Sequence, residues 1–358
     1  MHSELLEASA QMRARTVGTT GPMTRYKFVD NAKALGIVLV LLGHSKGMPA
    51  GMLNLIYGFH MPLFFFLSGY LLKPARLTDP VNAAGVRLVR TLAVPYVFFF
   101  GISYLYWLLT RDIGYKAERF ENLAWHDPLA GLFSGLGSDL YINPPLWFFP
   151  CLLLTALAYH AIRKLLPSRA TVMVSAAVAV GVCALASDPE YRLPLGLDTL
   201  WVALPFYAMG QHARDNVWIL ARAARVGAPA LLCMMVTWIL LSFANGHADL
   251  AEMLFGSEPL LYVPIATLAV LLVVLGAHRT PASRVARWLS DNTLIIFPTH
   301  MLVFSVVSGT ASALGLVPVE DQYTPLWAIG VTVLTLCLTV PLVWTLRRVP
   351  PALLGRAA

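Results

Sequence analysis

The apolar stretch FVDNAKALGIVLVLLGHS carries three side chains that could do chemistry, Asp30, Lys33 and His44. On an α-helix turning 100° per residue, Lys33 and His44 are nearly eclipsed, about 20° apart, and separated by roughly 16 Å along the axis. Asp30 lies three residues before Lys33, on the adjoining part of the same face, where the two can pair. One stripe therefore carries charge near one end and an imidazole near the other. An imidazole titrating at about pH 6.5 can take a proton from a hydroxyl. The bland alternative is that Asp30 and Lys33 snorkel to an interface and His44 caps the opposite one.

A second apolar stretch opens with FHMPLFFFLSGYLLKP and brings His60 in at the depth expected for His44. Two imidazoles facing each other across a cleft could share proton transfer or orient an acceptor hydroxyl. Ser68 and Gly69 read as close-packing residues, since no GxSxG motif marks a nucleophile. Arg87 and Arg90, three residues apart, would project together and suit the phosphates of a ligand, although anchoring alone also places arginines there. His300, beside Pro298, falls mid-membrane and should face the interior, where an unpaired histidine is costly. Trp147 and Phe148 in PPLWFFP read by default as part of an interfacial aromatic belt. The loop 110–144 offers Tyr115, Trp125, Asp127, Asp139 and Tyr141, a mixture of aromatic faces and carboxylates that suits sugars as well as solvent.

The elements that must hold these groups follow from composition. Of 358 residues, 58% are hydrophobic and only 13% charged, about half the charge of a soluble globule. Soluble enzymes, disordered scaffolds and secreted disulfide modules are poor fits. Apolar stretches of spanning length recur near 28–46, 52–73, 87–109, 145–164, 170–187, 198–213, 226–244, 258–277, 291–312 and 325–346. The expected fold is an all-α polytopic membrane protein, a single bundle of about ten helices in the lipid bilayer. It would be divided into a flexible tail at 1–24, a membrane domain at 25–348 and a second tail at 349–358. With the N-terminus inside, twenty Lys and Arg fall on the inner side and five, Lys46, Arg111, Lys116, Arg119 and Arg192, on the outer. That bias places both termini in the cytosol. The net charge of +7 is thus a topology signal and gives no reason to expect a nucleic-acid partner. Cys151, Cys183, Cys233 and Cys337 lie far apart in apolar runs and read as small core residues, with no metal-ligand spacing.

Together these motifs resemble the integral-membrane acyltransferase-3 family, nearest to its fucose-4-O-acetylase-like and exopolysaccharide (xanthan-type) O-acetyltransferase members. Lys33 and His44 match a basic residue, ten residues and a histidine in the first span, and Phe59 to Gly69 match the second-span signature. Arg87 and Arg90 match an RxxR pair, Leu146, Trp147 and Phe148 an LWF element, and Asn292 to His300 an N-T-L-x-I-F-x-x-H stretch. The lysine departs from the arginine of many relatives, and a soluble SGNH-type domain, carried by some larger relatives, is not expected within these 358 residues. The resemblance implies transfer of an acetyl group from acetyl-CoA, used as co-substrate, to a sugar hydroxyl of an exopolysaccharide or other envelope glycan. The acceptor would be a glycan or lipid-linked oligosaccharide at a bacterial inner membrane, with polysaccharide assembly machinery as a further partner. His44, His60, Lys33 and Asp30 would then be catalytic, with Arg87, Arg90 and Lys33 on the donor. Trp147, Phe148, His300 and Asn292 would be on the acceptor, with no metal. A transporter using the same intramembrane groups as a proton or substrate pathway is the rival reading, and acylation of a lipid or protein is a third.

Overall fold

The computed structural model describes residues 26–186, 190–223, 225–318 and 320–356; the tail at 1–24 lies outside them. The first expected span is helix α1, Lys27–His44. The second is broken into α2, Ala50–Tyr57, and α3, His60–Leu71. In the third, α4, Val81–Leu88, passes through a π-helical turn at Val89–Ala93 into α5, Val94–Thr110. The long loop folds around two short helices, α6 (Tyr115–Arg119) and α7 (Leu129–Ser134). Helices α8 (Phe148–Ile162), α9 (Ser168–Leu185) and α10 (Thr199–Asp215) follow, then the short α11 (Val217–Ala223). The chain ends with α12 (Ala228–Asn245), α13 (Tyr262–Arg279), α14 (Arg284–Ala313) and α15 (Pro325–Leu346).

Among the described residues, eight helical segments are long and apolar enough to cross a membrane. The other two expected spans are helices as well, but α1 carries Lys27, Asp30 and Lys33, and α10 is 17 residues long. Large apolar side chains cover the outside of the bundle, with Leu240 64%, Leu326 81% and Trp344 62% exposed. Water would not stabilise such a surface, whereas hydrocarbon does, and helices satisfy their own backbone groups there. The chain is an all-α polytopic membrane protein.

Helix α1 sits in the middle of the bundle and packs on α13, α14, α15 and α3. Its start is pinned by the Asn31 amide, which donates to Ala277 O at 3.2 Å and Thr280 O at 3.1 Å. The most extensive helix pair is α3 with α10, and two glycines explain how close it is. A Cβ at Gly69 would lie 2.0 Å from Tyr207 O, and one at Gly210 would lie 1.9 Å from Phe66 O. Backbone therefore meets backbone, and the arrangement has no room for even a methyl group. The close-packing reading of Gly69 holds at this contact.

The loop between α12 and α13 adds a small feature to the helical plan, an antiparallel hairpin of β1 (Ala248–Asp249) and β2 (Leu254–Phe255). Asn245 clamps it, donating to Phe255 O at 2.9 Å and accepting from the Glu258 N–H at 2.8 Å. Arg192, paired with Asp198 at 2.6 Å, donates to Ala251 O at 2.9 Å and so ties the hairpin to the start of α10.

Two expectations are corrected. Cys151 and Cys183 are buried, but Cys233 and Cys337 are exposed on outward helix faces, where an apolar environment is lipid rather than core. Trp147 and Phe148 are not an interfacial belt. They are 7% and 6% exposed, because the turn at Pro144–Trp147 swings the LWF element inward. At the C-terminal end, Leu354 is buried in the core that includes α5 residues, so part of the segment 349–358 is docked on the bundle.

Candidate active site

His44 is the last residue of α1, carried to one end of the bundle by a helix whose Ile37, Val40 and Leu41 are fully buried. Around it the fold gathers three rings from two other segments. The His300 ring centroid is 5.3 Å away and that of Tyr57 5.9 Å. Tyr57 in turn lies 5.2 Å from His60. The expected His44–His60 pair thus shares one cavity, but Tyr57 stands between the two imidazoles. The break after α2 causes this, because it turns Tyr57 inward just before α3 begins.

Hydrogen bonds orient each ring. The Tyr57 hydroxyl is 3.1 Å from Gly43 O and 3.3 Å from His44 Nδ1. His60 Nδ1–H donates to Ile56 O at 2.8 Å, and His300 Nδ1–H donates to Phe297 O at 2.5 Å. Each bond leaves the opposite nitrogen, Nε2, with a lone pair. His300 is fully buried, as expected, and its Nε2 has no hydrogen-bond partner among the described residues. Asn143 braces the kink before it, donating to Pro298 O at 2.7 Å and to Ser103 Oγ at 2.9 Å.

Two cavities meet at His44 and Pro144. One, of about 220 Å³, is also lined by Tyr57, His60, Trp147, Asp249 and Glu252. The other, of about 180 Å³, is lined by Lys46, Tyr106, Lys116, Arg119, Tyr141 and Ser305 among others. In the first, burial pushes the Asp249 carboxyl up to about 7, and the nearby Glu252 charge adds to that rise against a backbone hydrogen bond from Ala251. Among the described residues, no three His, Cys, Asp or Glu side chains are grouped as metal ligands would be.

The remaining candidates are not brought to this cluster. Lys33, eleven residues before His44 on α1, reaches Ser290 O at 3.5 Å, and Asp30 lines a small cavity with Lys27, Asn31 and Arg287. Arg87 pairs with Asp79 at 2.6 Å and holds that carboxyl below the usual carboxylate range, while Arg90 is exposed. Both amide groups of Asn292 are used within the bundle, its Oδ1 accepting from Arg347 at 2.8 Å and its Nδ2 donating to Trp288 O at 2.7 Å. Phe148 packs edge-on against Phe64, Phe65 and Phe297, as core. Of the loop candidates, Tyr141 lines a cavity, Trp125 is 63% exposed and Asp127 caps Ala124 N at 2.7 Å. The Tyr115 side chain lies outside the described residues.

The order of these motifs along one bundle agrees with the comparison by family. The sequence model of the acyltransferase-3 family, described as an acyltransferase domain, matches residues 26–344. The chain belongs to that family. Comparison with curated proteins and with solved structures gives no significant match. In this membrane acyltransferase, sequence reading missed Tyr57, Asn143, Asp249 and Glu252. Tyr57 is masked by a run of apolar neighbours. The two carboxylates sit in a short loop whose hairpin fold alone carries them over His44.

Proposed function

We propose that this acyltransferase moves an acetyl group from acetyl-CoA to a sugar hydroxyl of an exopolysaccharide or another envelope glycan at a bacterial inner membrane. The observation that carries the reading is the meeting at the His44 imidazole of two cavities that each hold charged side chains, at the end of an otherwise apolar bundle. An acceptor held across them presents a hydroxyl to the imidazole. With the Tyr57 hydroxyl donating to Gly43 O, the His44 Nδ1–H donates to the Tyr57 oxygen, and Nε2 is left to act as general base. Nε2 takes the proton of the acceptor hydroxyl as its oxygen attacks the thioester carbonyl. The imidazolium then returns a proton to the departing CoA thiolate, giving the acetyl ester and free thiol. His60, fixed by a backbone carbonyl, lines the cavity with Asp249 and Glu252, and His300, fixed in the same way, packs beside the His44 ring. At the opposite end, exposed Arg90 with Lys73 and Arg76 would meet the CoA phosphates, and Arg87 could join them by exchanging Asp79 for phosphate.

The test is transfer of labelled acetyl from acetyl-CoA to glycan by the protein in lipid nanodiscs. His44→Ala should lower the rate by about 10²–10⁴-fold, the usual contribution of a positioned base. Transfer by His44→Ala at the wild-type rate would defeat the mechanism, and the same label arriving on lipid or protein instead of glycan would replace the acceptor class.

A further inference from the structure

The two cavities at His44 differ in charge. One holds Asp249 and Glu252, the other Lys46, Lys116 and Arg119. The basic side chains are notable because the loops at this end of the bundle have few of them. Only Lys46, Arg111, Lys116, Arg119 and Arg192 belong to those loops, and three of the five line one cavity. Their partners differ as well. Arg192 is committed to Asp198 at 2.6 Å, and Arg111 lies 3.5 Å from Asp112. Lys116 donates to two neutral hydroxyls, Tyr106 Oη at 3.0 Å and Thr110 Oγ1 at 2.9 Å, and lies 4.3 Å from the centroid of the Tyr106 ring. Arg119 lies over Phe120 at 5.4 Å. Among the described residues, neither Lys116 nor Arg119 is in an ion pair. An ammonium has three donors and a guanidinium five, so both keep unused capacity beside the cavity.

We infer that the acceptor is an anionic glycan, whose carboxylate or phosphate lies against Lys116 and Arg119 while the sugar carrying the reacting hydroxyl lies at His44. This deepens the proposed function and rests on its placing of the acceptor at His44. The opposed charges orient the acceptor. An anionic group is drawn toward Lys116 and disfavoured beside Glu252 in the other cavity, where the Asp249 and Glu252 oxygens suit neutral sugar hydroxyls. Repulsion against the reversed pose contributes to selection as much as attraction in the correct one. The anion has two sources with the same chemistry. It can be an acidic sugar, or the phosphate of a lipid carrier, because an apolar groove between α14 and α15 shares Trp327 and Val331 with the basic cavity.

The experiment measures equilibrium binding to the full chain in nanodiscs of zwitterionic lipid. The probes are a glucuronate-containing disaccharide, its neutral methyl ester, the same neutral disaccharide linked by a phosphodiester to an isoprenol, and coenzyme A. Wild type should bind at least one anionic probe roughly tenfold or more tightly than the neutral ester, the range of one or two charge-assisted hydrogen bonds. Preference for the glucuronate assigns the anion to the sugar, and preference for the phosphodiester assigns it to the carrier. Lys116→Ala with Arg119→Ala should abolish the preference, and Lys116→Arg should keep most of it, which separates loss of charge from loss of fold. Equal wild-type affinity for charged and neutral probes would overturn the inference. So would an unchanged preference in the double variant, or a matching loss of coenzyme A affinity, which would make the cavity a donor site. If the charge preference is present but no probe is acetylated, the anion site stands and the proposed reaction falls.

Discussion

On the proposed mechanism, the chemistry of His44 turns on Tyr57. Its hydroxyl bridges Gly43 O and His44 Nδ1, and through that bridge it selects which imidazole nitrogen is free. Tyr57→Phe keeps the ring packed against His44 and His60 and removes only the oxygen. Acetyl transfer should then fall by about tenfold or more, mostly in kcat, because one hydrogen bond and the favoured tautomer are lost together. A steady-state comparison checks this, and a change confined to KM would instead make Tyr57 a binding residue. Asp249 provides a second residue-scale prediction. Its carboxyl is raised to about 7 in the fold, against about 3.9 in an unfolded chain. Between those values the folded state holds the proton and the unfolded state does not, so this group's stabilising contribution is complete below about pH 4 and is lost as pH rises through 7. Thermal melts of wild type and Asp249→Asn should therefore diverge in favour of the variant as pH rises from 5 to 8, and parallel curves would refute it. His44, His60 and His300 were legible in the sequence because polar groups in apolar runs are conspicuous. Tyr57 was not, since an aromatic residue in such a run looks like packing until its hydroxyl is placed.

At the scale of elements, the broken second span and the close α3–α10 pair are what hold the imidazole cluster. The break between α2 and α3 turns Tyr57 inward and starts α3 at His60, so that His60 Nδ1–H can reach Ile56 O. The α3–α10 contact then fixes α3 against the bundle. Gly210→Ala would drive a methyl group into Phe66 O, at a position where backbone lies on both sides. Overpacking of cores costs about 1–3 kcal/mol, and here no flexible side chain can give way, so the loss should be at least that large. A lower melting temperature with impaired transfer is the expected result; an unchanged melting temperature would mean that the helices part without penalty. The spans were readable as apolar lengths, and all ten expected ones are helical. The break after Tyr57, the π turn at Val89–Ala93 and the hairpin that carries Asp249 were not readable. Each depends on how one helix meets another, and apolar length carries no record of that. The inward turn of Trp147 was missed for the same reason, since a tryptophan near a helix start reads equally as a membrane-interface anchor or as core.

At the scale of the whole molecule, the proposed reaction divides its labour between the two ends of the bundle, and their sidedness decides how the reactants meet. The end holding Arg76, Arg87 and Arg90 is rich in positive charge, whereas the His44 end has five basic residues in its loops. On the proposed function, with the charged end cytosolic, acetyl-CoA would arrive there and would have to deliver its thioester to His44 at the far end of α1. Ile37, Val40 and Leu41 fill the intervening face of α1 and are fully buried, so the donor arm can pass along that face only when the helices separate. The acceptor needs no such passage, because both cavities at His44 lie at the end it would reach from outside. The orientation can be read by labelling with a membrane-impermeant maleimide in spheroplasts, adding one cysteine at a time to a background that keeps the buried Cys151 and Cys183 and has the exposed Cys233 and Cys337 replaced by alanine. Trp125→Cys, in the loop at the His44 end, should label in intact spheroplasts. Ala75→Cys, exposed at the arginine-rich end, should label only after the membrane is opened. The reverse pattern would put the acceptor cavities in the cytosol with acetyl-CoA, and the reaction would no longer cross the membrane.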